Sequence, residues 1–119
     1  MSARDARAYL HDIIGACDGI RDIIGLRDGD AYRSNLTMRL ATERELITIG
    51  EAVGRLAQMA PGLILDWTIP ARPIVGLRNL LVHGYFAVDD DRVYEIAIEQ
   101  VPLLRLDACR ALQTLEDER

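Results

Sequence analysis

Apolar residues recur every three or four positions through most of this chain, and that spacing decides what it can fold into. In the first stretch, from about Arg4 to Ile24, they mark one face of a helix. These residues are Ala6, Tyr9, Leu10, Ile13, Ile14, Cys17, Ile20 and Ile24. Aromatic residues make up 5% of the chain, too few for the aromatic and β-branched alternation that is typical of sheets. An all-α fold is therefore expected.

The same spacing predicts a second, longer helix from about Tyr32 to Met59. It follows a turn-rich link at residues 26–31 and stops before Pro61. The residues predicted to face inward are Leu36, Leu40, Ile47, Val53, Leu56 and Ala57. Gly50 and Gly54 each cost this helix about 1 kcal/mol relative to alanine. We therefore expect them to let another helix backbone come close, either within the bundle or between chains.

Three more helices are predicted in the second half. Residues 61–70 form a loop in which Trp67 and the leucines cover the core. The third helix begins near residues 68–73 and ends with His83, because Gly84 sits where a terminating glycine is expected. A fourth helix starts at the acidic turn 89–91, and a fifth has Pro102 in its first turn. The expected inward-facing residues are Ile74, Leu77 and Leu81 in the third helix, Val93, Ile96 and Ala97 in the fourth, and Leu104, Ala108, Leu112 and Leu115 in the fifth. At 119 residues the chain has room for one core, so residues 1–119 are expected to form a single four- to five-helix up-down bundle.

Charge and composition limit the classes of function. The net charge of −5 argues against a broad, sequence-blind nucleic-acid surface, although a local basic site remains open. No apolar run reaches the roughly 18 residues of a membrane span, and the charged N-terminus does not resemble a secretory signal. Cys17 and Cys109 have no neighbours at metal-ligand spacing, and we expect them to be buried thiols in a reducing compartment. The sequence thus predicts a cytoplasmic protein with no metal and no cofactor.

The segment "RNLLVHGYF", residues 78–86, carries the chemistry that packing does not explain. Asn79 and His83 are four apart and share one helix face, while Arg78 lies about 140° around the axis from His83, within reach of a flexible guanidinium. Such a trio can converge on one phosphate. A histidine can take or deliver a proton during attack by an RNA 2′-hydroxyl, and a fixed cation can stabilise the charge that grows on the phosphate. Because one histidine cannot easily serve both ends of the displacement, we expect a homodimer that brings two copies of Arg78 and His83 into one metal-independent site.

Simpler interpretations of the same residues stay open. A solitary histidine at a helix end usually caps carbonyl groups, and Arg78 could form a salt bridge to Glu51. Glu51 and Arg55 have the favourable order for an ion pair four residues apart, which is the default expectation for them. Alternatively, Glu51 steers Arg78 towards the site. His11 has no such residues around it and is expected to lie on the surface.

Four segments of the chain are shared with a known family. They are the Arg78-Asn79-x-x-x-His83-x-Tyr85 pattern, "ITIGEAVGRL" at 47–56, "IPARPIVGLRN" at 69–79, and the acidic turn and terminal helix in "VDDDRVYEIAIEQVPLL". In these segments the chain resembles the HepT-like toxin branch of the HEPN-domain ribonucleases. The resemblance implies a homodimeric helical bundle that cleaves RNA, whether tRNA or mRNA, without a metal. It further implies that Arg78, Asn79 and His83 are the catalytic residues, and that Tyr85 is AMPylated by a partner, a minimal nucleotidyltransferase that acts as antitoxin.

Two functions of other classes stay open. The first is a non-catalytic module in which the helical dimer presents Arg78 and His83 to a nucleotide or to the nucleotidyltransferase. The second is a purely structural dimer, which would leave the polar cluster of Arg78, Asn79, His83 and Tyr85 unexplained.

Overall fold

The structure, a computed structural model, describes residues 3–118, with only the backbone for residues 3–5 and Tyr85. These residues form helices and connecting turns with no strand, so the predicted all-α class is confirmed. The α-helices are α1 (Ala3–Ile24), α2 (Gly29–Ser34), α3 (Leu36–Met59), α4 (Pro61–Ile64), α5 (Ala71–His83), α6 (Asp90–Glu95) and α7 (Val101–Asp117). A 3₁₀ turn at Tyr85–Ala87 follows α5, and a π-helical segment at Ile96–Gln100 joins α6 to α7.

The long helices pack as a bundle around α1 and α3. Helix α3 packs against α1 on one side and α5 on the other, and α1 also packs against α7. Their contact faces supply fully buried aliphatic side chains, which remove apolar surface from water and drive the packing. The largest of these side chains are Leu10, Ile13, Ile20, Ile24, Ile49, Val53 and Leu56. Between α5 and α7 the bundle is not closed, and a mainly apolar cavity of about 520 Å³ separates them.

The predicted second helix begins later than expected, and part of its predicted inward face was wrong. Asn35 adopts an extended conformation, ends α2 and caps α3, because its Oδ1 accepts a hydrogen bond from the backbone N–H of Met38. Leu36 and Leu40 are 59% and 57% exposed, and Ala57, which was also predicted to face inward, is exposed. The inward face instead repeats on Met38, Thr42, Leu46, Ile49, Val53 and Leu56. Leu36 and Leu40 each lie two positions from this repeat and therefore point away from the core.

The segment before α5 is fastened to α7 by a buried carboxylate that sequence reasoning missed. Trp67 is buried, as predicted, whereas Leu65 is not. Asp107 on α7 is 1% exposed, and its two oxygens accept backbone N–H bonds from Thr68 at 3.0 Å and Ile69 at 3.1 Å. A buried carboxylate needs such donors to offset its desolvation. Its ion pair with Arg110 adds a further contact, and together these bonds fix where α5 begins.

The C-terminal half follows the predicted boundaries closely. Helix α5 ends at His83, and the N–H of Gly84 closes it on the carbonyl of Leu80. Asp89 caps α6 by accepting from the backbone N–H groups of Asp91 and Arg92. Pro102 lies in the first turn of α7, as expected. The predicted fourth and fifth helices are not separated by a turn. The π-helical segment connects them directly and ends just before Pro102, which has no backbone N–H to donate.

The two cysteines differ in environment. Cys17 is buried, and this burial, reinforced by the nearby charge of Asp18, raises the pKa of its thiol to about 12. Cys109 is half-buried and accepts a weak hydrogen bond from Arg105. The expectation of a buried thiol is therefore confirmed for Cys17 and only partly met at Cys109. Arg105 also grips Asp18 with two nitrogens at 2.7 and 3.4 Å, which lowers the pKa of that carboxyl and ties α1 to α7.

Helix α5 approaches α3 closely at Gly50, so the prediction made for the two glycines is confirmed at this position. A Cβ built on Gly50 would lie 2.3 Å from the Cβ of Arg78 and 3.3 Å from the carbonyl oxygen of Ile74. A Cβ on Gly54 would meet Cγ2 of Val75 at 3.6 Å, which is an ordinary contact. The close approach therefore lies within the bundle, and Gly50 is the position at which a side chain would not fit.

Replacing Gly50 with alanine is expected to destabilise the protein, whereas Gly54→Ala is expected to be neutral or mildly stabilising. The added methyl at position 50 must push α5 outward, and overpacking of this kind typically costs about 1–3 kcal/mol. At Gly54 the methyl meets no clash, and alanine gains up to about 1 kcal/mol of helix propensity. Urea unfolding of the two variants measures both effects, and equal losses of stability would contradict the packing described above.

Candidate active site

The last two turns of α5 carry the predicted site residues. Arg78, Asn79 and His83 all lie on this helix, and the four-residue spacing places Asn79 and His83 on one exposed face. Arg78 is half-buried, because its Cβ rests on the backbone of α3 at Gly50. The guanidinium therefore emerges at the α3–α5 junction, on a stem that packing holds in place.

Two hydrogen bonds orient the Arg78 guanidinium. Its Nη2 lies 3.2 Å from Oε1 of Glu51 on α3, and its Nη1 donates to Oδ1 of Asn79 at 3.1 Å. A guanidinium has five N–H donors, so one donor on each terminal nitrogen remains for a ligand. The Nε–H is buried and has no acceptor among the described residues, which typically costs about 1–3 kcal/mol. The ion pair between Arg78 and Glu51, which the sequence left open, is present.

The expected ion pair between Glu51 and Arg55 does not form. Glu51 turns across to α5 and meets Arg78, which approaches closely because Gly50 has no side chain. Arg55 lies one turn further along α3, exposed, with no hydrogen bond or ion pair to any described residue. The prediction for this pair was wrong because spacing within one helix says nothing about a competing cation on a neighbouring helix.

An open, mainly polar cavity of about 480 Å³ lies at this junction. Glu51, Arg55 and Gln58 follow one another at four- and three-residue spacing along its α3 side. The full lining is Gly50, Glu51, Gly54, Arg55, Gln58, Val75, Arg78 and Asn79. Arg55 and Gln58 were not predicted as site residues, although the polar stripe at this spacing could have indicated them. The cavity holds two guanidinium groups and one carboxylate, so it is locally positive in a chain of net charge −5.

His83 lies near this cavity in sequence but does not line it. Its side chain is exposed at the C-terminal end of α5, one turn beyond Asn79. A single chain therefore brings Arg78, Asn79 and Glu51 together and leaves His83 at the edge. Tyr85 begins the 3₁₀ turn after α5, and its side chain lies outside the described part of the structure.

Three apolar residues close to His83 in the chain have exposed side chains. Leu80 and Val82 in the last turns of α5 are 36% and 38% exposed, and Phe86 in the following turn is 90% exposed. Clustered apolar exposure next to a polar site is typical of an interaction surface. The residues that the structure describes contain no group of acidic, histidine or cysteine side chains placed to hold a metal. Among the same residues, no helix is both long and apolar enough to cross a bilayer.

Fold and site together define an all-α domain that displays an Arg-Asn-x-x-x-His segment at the end of one helix. The ribonuclease HepT-like family matches residues 13–110. The protein named "Putative RNase MJ0125" of Methanocaldococcus jannaschii is 30% identical over 118 residues, which cover 99% of this chain and 100% of that protein. "Putative RNase MJ1380" of the same organism is 31% identical over 88% of this chain and 94% of its own length. "Putative RNase TTE0752" of Caldanaerobacter subterraneus is 30% identical over 90% of this chain and 94% of its own. The chain belongs to the ribonuclease HepT-like family. No solved structure shows a significant match.

The Arg78–Glu51 pair is expected to be weak enough to open for a ligand. The side chains are 28% and 56% exposed, and pairs of this kind contribute less than about 1 kcal/mol. A double-mutant cycle with Glu51→Ala and Arg78→Ala, followed by urea unfolding, measures the coupling free energy. The two-nitrogen pair of Asp18 and Arg105 is the comparison and should couple more strongly. A larger coupling for Glu51 and Arg78 than for that pair would mean that Arg78 is locked in a structural role.

Proposed function

We propose that this protein is a metal-independent endoribonuclease that acts as the toxin of a toxin–antitoxin pair. Its active site is composite: two chains of a homodimer each contribute Arg78, Asn79 and His83 to one cleft. The observation that carries the proposal is the pre-oriented Arg78 guanidinium beside Asn79 in an open cavity, with an exposed histidine one turn away on the same helix. Membership of the ribonuclease HepT-like family supports RNA as the substrate.

In the proposed reaction, the RNA supplies its own nucleophile. The 2′-hydroxyl attacks the adjacent phosphorus while one His83 imidazole takes its proton, and the bond from phosphorus to the 5′-oxygen breaks. The second His83, as imidazolium, delivers a proton to the leaving 5′-oxygen, so the products are a 2′,3′-cyclic phosphate and a 5′-hydroxyl. Arg78 stabilises the negative charge that grows on the phosphate oxygens. Asn79 and Glu51 orient the guanidinium before the RNA binds, and the weak pair with Glu51 opens when the phosphate arrives.

The proposed dimer places the two-fold axis beside the end of α5. One chain offers one His83, exposed and outside the cavity that holds Arg78, so a second chain is needed to complete the acid–base pair. The exposed apolar side chains of Leu80, Val82 and Phe86 supply surface that association would bury. A two-fold axis at this position pairs the same patch with itself and gathers both histidines.

We further propose that a minimal nucleotidyltransferase antitoxin controls the site through Tyr85. The phenol oxygen attacks the α-phosphorus of ATP, an adenylyl group is joined to the tyrosine, and pyrophosphate leaves. Tyr85 lies two residues beyond His83, so the added phosphate and nucleotide would fill the anion site by charge and bulk. The sequence resemblance to HepT-like toxins supports this step.

The alternative is a non-catalytic module that binds a nucleotide or the partner through the same residues. One observation favours it: Arg78 is already engaged by Glu51 and Asn79, as in a binding pocket at rest. Binding and cleavage need the same donors, so geometry does not separate the two functions. Only the cleavage reaction requires His83 to transfer a proton.

Purified protein incubated with tRNA and mRNA in EDTA is expected to cleave RNA, and the His83→Ala variant is expected to lose activity by at least about 100-fold. Arg78→Ala is expected to lose about 100- to 1,000-fold, because the charge on the phosphate is left unstabilised. His11→Ala is the matched control, since the other histidine is exposed on α1, and it should retain full activity. Gel analysis with end-group chemistry measures both rate and product.

Mixed dimers test whether the site is shared. Dimers of wild type and His83→Ala are expected to cleave far more slowly per dimer than wild type, because the acid or the base is missing from the common cleft. Half of the wild-type activity would mean two independent sites and would contradict the composite arrangement. Tight RNA binding without cleavage in any buffer would favour the non-catalytic module.

Tyr85→Phe is expected to stay toxic and to escape neutralisation by the partner. The substitution removes the phenol oxygen that accepts the adenylyl group and leaves Arg78, Asn79 and His83 in place. Growth of cells that express the toxin with and without the nucleotidyltransferase measures the effect, and mass spectrometry of the wild type locates the modification. Neutralisation of the Phe variant would mean that the antitoxin blocks the site by occlusion or at another residue.

A further inference from the structure

Arg55 and Gln58 form an unassigned polar edge of the cavity that holds Arg78. Both are exposed on α3, three residues apart, and both line this cavity. Because Glu51 pairs with Arg78 across the helix junction, the Arg55 guanidinium keeps its full charge and all of its donors available. Arg44, on the same helix and also exposed, does not line this cavity. Position in the cavity, and not exposure alone, is therefore what distinguishes Arg55.

Part of the cavity lining is apolar and has little side-chain bulk. Gly54 presents no side chain between Glu51 and Arg55, and Val75 of α5 lies opposite it, with Cγ2 3.6 Å from where a Cβ of residue 54 would be. The lining thus combines charged groups from both helices with a small apolar part. The volume of about 480 Å³ is within the range of sites that bind small molecules.

We propose that Arg55 and Gln58 bind the nucleotide next to the cleaved bond, with Arg55 on its phosphate and Gln58 on its sugar or base edge. This inference rests on the proposed function, since it places a second RNA phosphate beside the one that Arg78 stabilises. Arg55 lies four residues beyond Glu51, about 6 Å along α3, so the two guanidinium groups are offset along the cavity. A guanidinium grips a phosphate through two parallel N–H bonds, and the amide of Gln58 offers both a donor and an acceptor.

The lining favours RNA contacts that tolerate different sequences. No aromatic side chain lines the cavity, so no base is stacked there, and one amide cannot read a base pair edge in full. Phosphate and sugar contacts position a nucleic acid without specifying its sequence. An acidic protein surface is the competing occupant, and the test below distinguishes it from RNA.

The test measures RNA binding in a His83→Ala background, where no cleavage interferes. A fluorescent single-stranded RNA of about 12 nucleotides is titrated by anisotropy at several salt concentrations. Arg55→Gln is expected to weaken binding roughly tenfold at low salt and to reduce the slope of log K against log salt by about 0.7, the share of one phosphate contact. Arg44→Gln removes the same charge from the same helix about 16 Å away and should change neither. Arg55→Lys, which keeps the charge and loses the two-nitrogen grip, should fall between wild type and Arg55→Gln.

The outcomes separate this inference from the proposed function. If the wild type cleaves RNA but Arg55→Gln keeps the full salt slope, the inference is overturned and the ribonuclease proposal stands. Equal losses in Arg55→Gln and Arg44→Gln would also overturn it, because general attraction would then explain the binding. If Arg55→Gln binds RNA normally but no longer co-purifies with the nucleotidyltransferase, the edge serves a protein partner and the inference fails.

No RNA binding by any variant would end both proposals. Thermal unfolding should be unchanged in all of these variants, since each replaces an exposed side chain.

Discussion

The contact between Gly50 and the stem of Arg78 is the constraint on which the candidate site depends. Without a side chain at position 50, α5 lies against α3 closely enough that the Arg78 Cβ rests on the opposite backbone. The guanidinium then emerges beside Glu51 and Asn79, and its two hydrogen bonds hold it at the rim of an open cavity. The close packing of α3 and α5 thus also orients the Arg78 guanidinium. The position that costs α3 some helix propensity provides the geometry that a phosphate site needs.

The site also depends on what the bundle leaves open. Helix α5 packs on one side against α3, while a largely apolar cavity separates it from α7. Its final turns therefore carry exposed Leu80 and Val82 next to exposed His83. A monomer gains nothing from apolar side chains in water at this point, because burial is what makes them stabilising. Association through this end of α5 would turn the same residues into part of a core and would bring histidines from two chains together.

Much of the fold could be predicted from the sequence, because three- and four-residue spacing, capping residues and prolines act locally. The end of α5 at His83, the acidic cap at Asp89 and the place of Pro102 followed from such signals. The errors came from competition between equally local signals. Asn35 caps α3 and so starts it later than the apolar pattern suggested, and the buried face runs through Met38 and Thr42, which leaves Leu36 and Leu40 outward. Local reasoning could not choose between these signals without knowing which face meets α1.

The site was harder to predict, because its contacts join separate helices. The sequence singled out Arg78 and Asn79, and the structure joins their side chains. The pairing of Glu51 with Arg78, and the release of Arg55 that follows from it, require knowledge of how α3 and α5 cross. Asp107 had no visible signal at all, since an aspartate between leucines and an alanine reads as a polar interruption of a helix face. Its partners are backbone groups almost forty positions away, which no spacing rule reveals.

The unbroken course from α6 through the π-helical segment to α7 has a mechanical consequence for α5. From Asp90 to Asp117 the chain runs through α6, the π-helical segment and α7 without an intervening turn. The segment before α5 is hydrogen-bonded to this C-terminal run at Asp107, and the end of α5 is connected to the same run by the short stretch that leads to Asp89. The helix that carries Arg78 and His83 is therefore joined to one helical run at both of its ends, by hydrogen bonds at its start and by a short connection at its end. A displacement of that run would be passed to both ends of α5.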